Sequence, residues 1–69
     1  MKPYFEILRE LRESQDLKQA DIALLLGTTQ QVYSRYEKGV NELPIRHLIT
    51  LSHFYHVSTD YILDLIAKK

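Results

Sequence analysis

The chain has 69 residues and equal numbers of basic and acidic side chains, nine of each, so its formal net charge is zero. This length allows one domain with a small core, and the lack of cysteine excludes disulfides and thiolate zinc sites. The longest uninterrupted apolar run, residues 22–26, is too short to span a membrane or to form the core of a signal peptide. We therefore expect a soluble, cytoplasmic protein.

Zero net charge is the main compositional argument against a nucleic-acid partner. The charges are unevenly distributed, however. The first third of the chain holds most of the acidic residues, namely Glu6, Glu10, Glu13, Asp16 and Asp21. Between residues 28 and 47 the balance is slightly basic.

Five helical segments separated by short breaks are predicted, and strand-type alternation is lacking. The first begins at Pro3, which suits the first turn of a helix, and ends near Ser14, before a left-handed Asp16. Its apolar stripe consists of Phe5, Ile7, Leu8 and Leu11. The second covers residues 18–26 and stops at Gly27. Its apolar side consists of Ile22, Leu25 and Leu26, with Ala23 beside them.

The third predicted helix has Thr28 or Thr29 as its N-cap and Gly39 as its left-handed terminator. At about 100° per residue, Tyr33 and Tyr36 share one side. The opposite side consists of Gln31, Ser34, Arg35 and Lys38. The simpler interpretation is an ordinary amphipathic helix with a solvated polar face. We expect the tyrosine rings in the core and their hydroxyls at its rim, with that of Tyr33 within reach of a phosphate.

The fourth helix begins at Pro44, after a loop, and the fifth is capped by Ser58, with Asp60 favoured in its first turn by the helix dipole. The apolar set of the fourth helix is Ile45, Leu48, Ile49, Leu51 and Tyr55. That of the fifth is Tyr61, Ile62, Leu65 and Ile66, which could serve as core, as a homodimer seam or as a partner surface. The predicted fold class is all-α, a compact five-helix bundle.

The break between the second and third helices is very short. A nine-residue helix, a single Gly27 and a newly capped helix cannot stack antiparallel and must cross steeply, which is the geometry of a helix-turn-helix. Gln30 and Gln31 would then occupy the first turn of the helix that enters the major groove in such motifs. A glutamine amide can pair with adenine N6 and N7 together, which discriminates between bases by about 1–3 kcal/mol.

The run from Gln19 to Gly27, QADIALLLG, followed by Tyr33 and Tyr36, resembles the helix-turn-helix of the Cro/CI-type (XRE) regulators. Further matching segments are Leu8, Leu11 and Arg12; Tyr36-Glu37-Lys38-Gly39; Leu43-Pro44-Ile45; Leu48; and Val57-Ser58-Thr59-Asp60-Tyr61. Thr28-Thr29-Gln30-Gln31 is similar to the start of the recognition helix in phage repressors of that family. The resemblance covers about residues 5–65, with the motif at about 19–38, and implies a single lambda repressor-like DNA-binding domain over residues 1–69.

The resemblance also implies roles for individual residues. Those implied to read base edges are Gln30, Gln31, Ser34 and Arg35. Those implied to contact phosphates are Gln19, Thr29, Lys38, Asn41 and Arg46. Arg12 and Glu37 resemble an ion pair that the family uses inside the domain. The alternatives are a solvated or phosphate-contacting Arg35, a surface Gln19, and solvated Asn41 and Arg46.

The family resemblance implies a transcriptional regulator, expected to be a repressor, that binds a pseudo-palindromic site on double-stranded DNA as a homodimer. The alternative is a protein-interaction module of the same fold, such as an antitoxin-like or co-regulator protein, which neutral charge and the apolar segment 61–66 would suit. His53, His56 and Asp60 have metal-site spacing, but residues 57–58 are predicted to break that helix. We expect no catalytic site, metal, cofactor, small-molecule ligand or membrane partner.

Overall fold

The computed structural model describes residues 2–65, which form five α-helices with no strand among them. Their bounds are Tyr4–Ser14 (α1), Gln19–Leu26 (α2), Gln30–Glu37 (α3), Ile45–Tyr55 (α4) and Thr59–Leu63 (α5). The predicted all-α class is confirmed. Within this part of the chain, none of the helices has the length and apolar character needed to cross a membrane.

Side-chain caps determine where α3 and α5 begin. Of the two candidate threonines, Thr29 is the cap, since its Oγ1 accepts a hydrogen bond of 3.2 Å from the backbone N–H of Val32. At α5, the Ser58 hydroxyl accepts a bond of 3.0 Å from the N–H of Tyr61. Each cap satisfies one of the backbone donors that a helix leaves unpaired in its first turn. The two prolines, Pro3 and Pro44, lie at the N-cap position, one residue before the helices they were predicted to begin.

Left-handed residues follow the helices and turn the chain. Gly27 ends α2 with φ at 71°, and Gly39 follows α3 with φ at 75°, as predicted. Asp16 is also left-handed, as its place after α1 predicts, and His56 and Asp64 adopt the same conformation after α4 and α5. Because a Cβ disfavours this region, these three residues retain some strain.

The core is one cluster to which every helix contributes. It consists of Leu8, Ile22, Ala23, Tyr33, Tyr36, Leu51, Tyr55 and Ile62. Leu11, Leu17, Leu26, Val32, Leu43, Leu48 and Val57 are among the partly buried residues that pack against it. The two tyrosines of α3 thus anchor that helix from inside.

Several apolar residues expected on the buried faces are instead exposed. Ile45 is 74% exposed and Ile49 45% on α4, and Leu25 is 40% exposed on α2. In place of the two isoleucines, α4 buries His47 and Ser52. The buried stripe of α4 is therefore rotated relative to its apolar pattern. On the last segment, Ile62 is buried whereas Tyr61 and Leu65 are exposed, and Ile66 lies outside the described residues.

The first and last described turns of the chain meet. The backbone N–H of Lys2 donates to Asp64 Oδ2 at 2.7 Å, and the Lys2 ammonium pairs with Glu10 at 2.8 Å. The contact with Asp64 holds the start of α1 against the end of α5.

Candidate nucleic-acid interface

The α2–α3 unit presents the polar side of α3 to solvent. These two helices form the most extensive helix–helix contact in the described chain, with Gly27 and the Thr29 cap between them. Gln30, Gln31 and Arg35 are exposed and Ser34 is half-buried, so all four predicted base-reading residues lie outside the core. This face can make polar contacts without disturbing the packing beneath it.

A shallow groove joins the N-terminal turns of α2 and α3. It has a volume of about 390 Å³ and is lined by Gln19, Thr29, Gln30, Gln31 and Ser34. The structure therefore brings together three of the predicted base readers with two of the predicted phosphate contacts. Arg35 lies further along α3 and does not line this groove.

The tyrosines of α3 differ from expectation in one respect. Tyr33 is fully buried and its hydroxyl lies in the interior without a hydrogen-bond partner among the described residues. Burial raises the pKa of Tyr33. The expectation that this hydroxyl reaches the rim and a phosphate is therefore wrong. Two rings fill the space here, with the Tyr33 and Tyr36 centroids 6.3 Å apart in an edge-to-face arrangement.

Glu37 is a buried carboxylate that joins three helices. Arg12 of α1 donates to it twice, from Nε to Oε2 at 2.8 Å and from Nη2 to Oε1 at 3.0 Å. Gln19 of α2 donates its Nε2 to Oε1 at 3.0 Å. Burial acts to raise the pKa of Glu37, but the hydrogen bonds that the carboxylate accepts, above all those from Arg12, outweigh it, so that the pKa is lowered. The carboxylate therefore remains charged and paired inside the domain.

Gln19 thus has a contact that its sequence position did not indicate. One amide N–H of its side chain is used by Glu37, and the residue is half-buried at the edge of the groove. This bond orients the side chain relative to the start of α3.

The remaining predicted phosphate contacts follow α3 along the chain. Lys38, Asn41 and Arg46 are exposed on the loop after α3 and on the first turn of α4. The backbone N–H groups of Val40 and Asn41 both donate to the carbonyl of Arg35, at 3.0 and 3.4 Å. The loop therefore folds back onto the end of α3 and carries its polar side chains beside that helix.

Two contacts from α1 to this loop were not foreseen. The Tyr4 hydroxyl accepts a hydrogen bond of 3.1 Å from the N–H of Leu43, and the Phe5 ring lies against Gly39. His47, also unforeseen as a core residue, packs edge-on against Tyr36 with centroids 6.1 Å apart. Burial, and then the positive charge of Arg46, lowers the pKa of His47. Apolar spacing places Phe5 on the predicted stripe of α1, but no sequence signal pairs Phe5 with Gly39 or Tyr4 with Leu43.

The histidines considered as metal ligands lie apart from this face. His53 and Asp60 are exposed on α4 and α5, and His56 is the left-handed residue that ends α4. Between residues 2 and 65, no group of three or more His, Asp or Glu side chains is placed to hold a metal ion.

A short helix, a glycine turn and a second helix with an exposed polar face, supported by three further helices, define a helix-turn-helix domain. The family model described as "Helix-turn-helix" matches residues 8–62, and the chain belongs to that family.

Curated relatives agree with this family. The chain is 36% identical over 62 residues to the uncharacterized HTH-type transcriptional regulator YobD of Bacillus subtilis (strain 168), covering 90% of this chain and 55% of YobD. It is 37% identical over 60 residues to YqaE, a protein of the same description and organism, covering 87% of this chain and 52% of YqaE. The chain therefore spans about half the length of the curated relatives it matches.

Solved structures share the fold. A transcriptional regulator from Listeria innocua superposes with a TM-score of 0.87 at 27% identity, over 96% of this chain and 62% of that one. The P22 c2 repressor, crystallised in complex with a synthetic operator, gives a TM-score of 0.81 at 25% identity, over 91% of this chain and 96% of the repressor. The predicted lambda repressor-like fold class and the Cro/CI-type family resemblance are confirmed.

Proposed function

We propose that this chain binds double-stranded DNA sequence-specifically as a transcriptional regulator, with α3 in the major groove. The observation that carries the proposal is the exposed polar face of α3 beside the groove at the N-termini of α2 and α3. The P22 c2 repressor, solved with an operator, has the same fold over almost its whole length, which supports the assignment. Such a regulator would act in the cytoplasm and would need neither a cofactor nor a catalytic residue.

The proposed base readers are Gln30, Gln31, Ser34 and Arg35. Gln30 and Gln31 are exposed in the first turn of α3, the part of a recognition helix that approaches base edges. Their amides suit adenine, and the guanidinium of Arg35 suits guanine O6 and N7. Ser34, half-buried between them, is small enough to let the helix approach the bases closely.

The proposed phosphate contacts are Gln19, Thr29, Lys38, Asn41 and Arg46. Helix N-termini attract phosphate because their first N–H groups are unpaired and the helix dipole is positive there. Gln19 and Thr29 lie at the starts of α2 and α3, and Gln19 keeps a second amide N–H beyond the one given to Glu37. Lys38, Asn41 and Arg46 would contact the backbone on the other side of α3.

We further propose that two copies bind a pseudo-palindromic operator and that the outcome is repression. A single recognition helix of eight residues contacts few base pairs. Two-fold symmetric binding is the usual way for a helix-turn-helix to gain affinity. The apolar side chains exposed on α4 and just after α5, namely Ile45, Ile49 and Leu65, are available to a second copy.

A second candidate function is a protein-interaction module with weak DNA binding. Zero net charge and the same exposed apolar side chains favour it. The two candidate functions predict different DNA binding. A sequence-specific regulator prefers one sequence and keeps its affinity for that sequence at moderate salt. A module that binds only phosphates has no sequence preference, and its affinity falls steeply with salt.

The decisive test is selection of bound duplexes from a random pool, followed by gel shifts on the recovered sequence. We expect one enriched sequence with two related half-sites, bound at a salt concentration that removes binding to unselected DNA. The matched control is the Gln30→Ala/Gln31→Ala double variant, whose two changed side chains are exposed, so that it folds but does not enrich that sequence. A pool without enrichment, with all binding lost at moderate salt, would leave the interaction module as the better assignment.

A further inference from the structure

The loop between α3 and α4, residues 38–43, is held at both ends. At its start, the N–H groups of Val40 and Asn41 donate to the Arg35 carbonyl. At its end, the N–H of Leu43 donates to the Tyr4 hydroxyl at 3.1 Å. The second contact spans 39 positions along the chain and joins the loop to the first turn of α1.

A second aromatic residue of the same turn fixes the middle of the loop. Gly39 has φ at 75°, and a Cβ added there would lie 2.6 Å from Phe5 Cε2 and 2.7 Å from Phe5 Cζ. The Phe5 ring therefore occupies the space that a side chain at position 39 would need. The Tyr4 and Phe5 rings pack edge-to-face, with centroids 5.7 Å apart, so each limits the movement of the other.

We infer that Tyr4 and Phe5 are positioning residues for DNA-backbone binding: they fix the shape of the 38–43 loop so that Lys38 and Asn41 meet phosphates. This inference rests on the proposed function. Neither aromatic residue would touch DNA. Tyr4 and Phe5 are half-buried on α1, whereas the side chains of Lys38 and Asn41 are exposed on the loop they hold.

The physical reason is preorganisation. A loop that already has its bound shape loses little conformational freedom on binding, whereas a loosened loop must be ordered at the cost of affinity. Because phosphate contacts do not depend on sequence, loosening the loop would weaken binding to every duplex alike. Base preference, which depends on the α3 side chains, would remain.

The test compares Tyr4→Phe with Tyr61→Phe on the duplex recovered by the selection. Tyr4→Phe removes only the hydroxyl that holds Leu43, while Tyr61 is an exposed tyrosine on α5 that makes the matched control. We expect Tyr4→Phe to bind roughly three- to tenfold more weakly, in line with the loss of one hydrogen bond and of loop order. The slope of log affinity against log salt should fall by roughly one, with the base preference unchanged.

A measurement without DNA tests the contact itself. In Tyr4→Phe the Leu43 amide should exchange with solvent faster than in the wild type, and in Tyr61→Phe at the wild-type rate. Phe5→Leu is a second variant for the case that Tyr4→Phe does not fold. The leucine is apolar but smaller, so it reduces the contact with Gly39, and we expect it to lower the affinity and the salt slope in the same way.

The outcomes separate this inference from the function on which it rests. If the wild type selects no sequence, the proposed function fails and this role fails with it. If the wild type binds its site and Tyr4→Phe keeps the wild-type affinity and salt slope, the positioning role alone is wrong. An unchanged Leu43 exchange rate would also overturn it, because the hydrogen bond would then not hold the loop.

Discussion

Arg12 and Glu37 form a pair whose energy depends on both partners. The Glu37 side chain is 2% exposed and that of Arg12 12%, so neither charge could be solvated if the other were removed. Removing one partner of such a buried pair leaves an uncompensated charge, which is far more costly than replacing both.

We expect Arg12→Ala to lower the free energy of unfolding by about 3–5 kcal/mol, measured by urea denaturation at neutral pH. In the wild type the lowered pKa of Glu37 also makes stability depend on pH. Because the folded pKa lies below the ordinary 4.5, this stabilisation is present above that value and is lost as the pH falls through the folded pKa. The free energy of unfolding of Arg12→Ala should therefore decrease much less than that of the wild type as the pH falls.

The matched control is Arg9→Ala, an exposed arginine on the same helix, which should change stability by less than about 0.5 kcal/mol. Equal stability of Arg12→Ala and wild type would show that the pair contributes nothing.

Substitutions at Gln31 and Lys38 test whether different residues recognise the bases and bind the DNA phosphates. Gln31→Ala should relax the base preference at one position of the selected site, whereas Lys38→Ala should weaken all duplexes alike and lower the salt slope by roughly one. Both side chains are exposed, so neither change should affect folding. Gel shifts on a set of single-base variants at several salt concentrations measure both effects. Identical profiles for the two variants would count against the assigned roles.

At the scale of the helices, Gly27 and Gly39 look equivalent in sequence but differ in their surroundings. Both have positive φ, whereas an added Cβ meets nothing within 4 Å at Gly27 and collides with Phe5 at Gly39. We expect Gly27→Ala to cost about 1–2 kcal/mol through backbone strain alone, and Gly39→Ala to cost more, as measured by urea denaturation.

A double-mutant cycle isolates the extra cost at Gly39. In a Phe5→Ala background the Gly39→Ala change should cost no more than Gly27→Ala does, because the ring that it strikes is gone. An unaltered cost would show that the backbone conformation, and not Phe5, makes the glycine necessary.

Helix boundaries were predictable because they depend on local chemistry. Thr29, Ser58 and Gly27 act as caps through groups within a few residues along the chain, so the sequence contains the whole interaction. The polar face of α3 was predictable for the same reason, since its spacing follows from helical periodicity.

Burial on α4 and the support of the loop were not predictable in this way. Ile45 and Ile49 fit an apolar stripe, yet α4 turns His47 inward, because the neighbouring Tyr36 ring offers an edge-on partner. Which side of a helix is buried depends on the helices around it, and periodicity alone does not give that angle. The Tyr4–Leu43 contact likewise joins residues that only the fold brings together.

At the scale of the whole molecule, the net charge is zero but the acidic and basic side chains are unevenly distributed. Glu6, Glu10 and Asp64 line a groove at the α1–α5 end together with Lys2, and none of them lines the groove beside α3. Lys38 directly follows α3 and Arg46 lies on the first turn of α4, with the acidic Glu42 between them, so this segment has one net positive charge. A chain with no net charge can therefore still place basic side chains next to DNA phosphates. Its non-specific attraction to DNA is correspondingly modest.

Paired binding predicts a defined spacing on DNA. The two half-sites of a helix-turn-helix dimer lie one helical turn, about 34–36 Å, or multiples of it apart. We expect two copies per selected duplex by native mass spectrometry, and loss of joint binding when about five base pairs, half a turn, are inserted between the half-sites. One copy per duplex, indifferent to the insertion, would contradict the symmetric arrangement.

The hydrogen bond from Lys2 to Asp64 has a consequence for engineering. It brings the Lys2 backbone within 2.7 Å of the Asp64 side chain, so a glycine-rich linker could join the two ends of the described domain. The chain could then be opened elsewhere, at an exposed turn such as that around Asp16, to give a circular permutant. In such a protein α2 and α3 would be among the first elements synthesised, while every helix kept its neighbours.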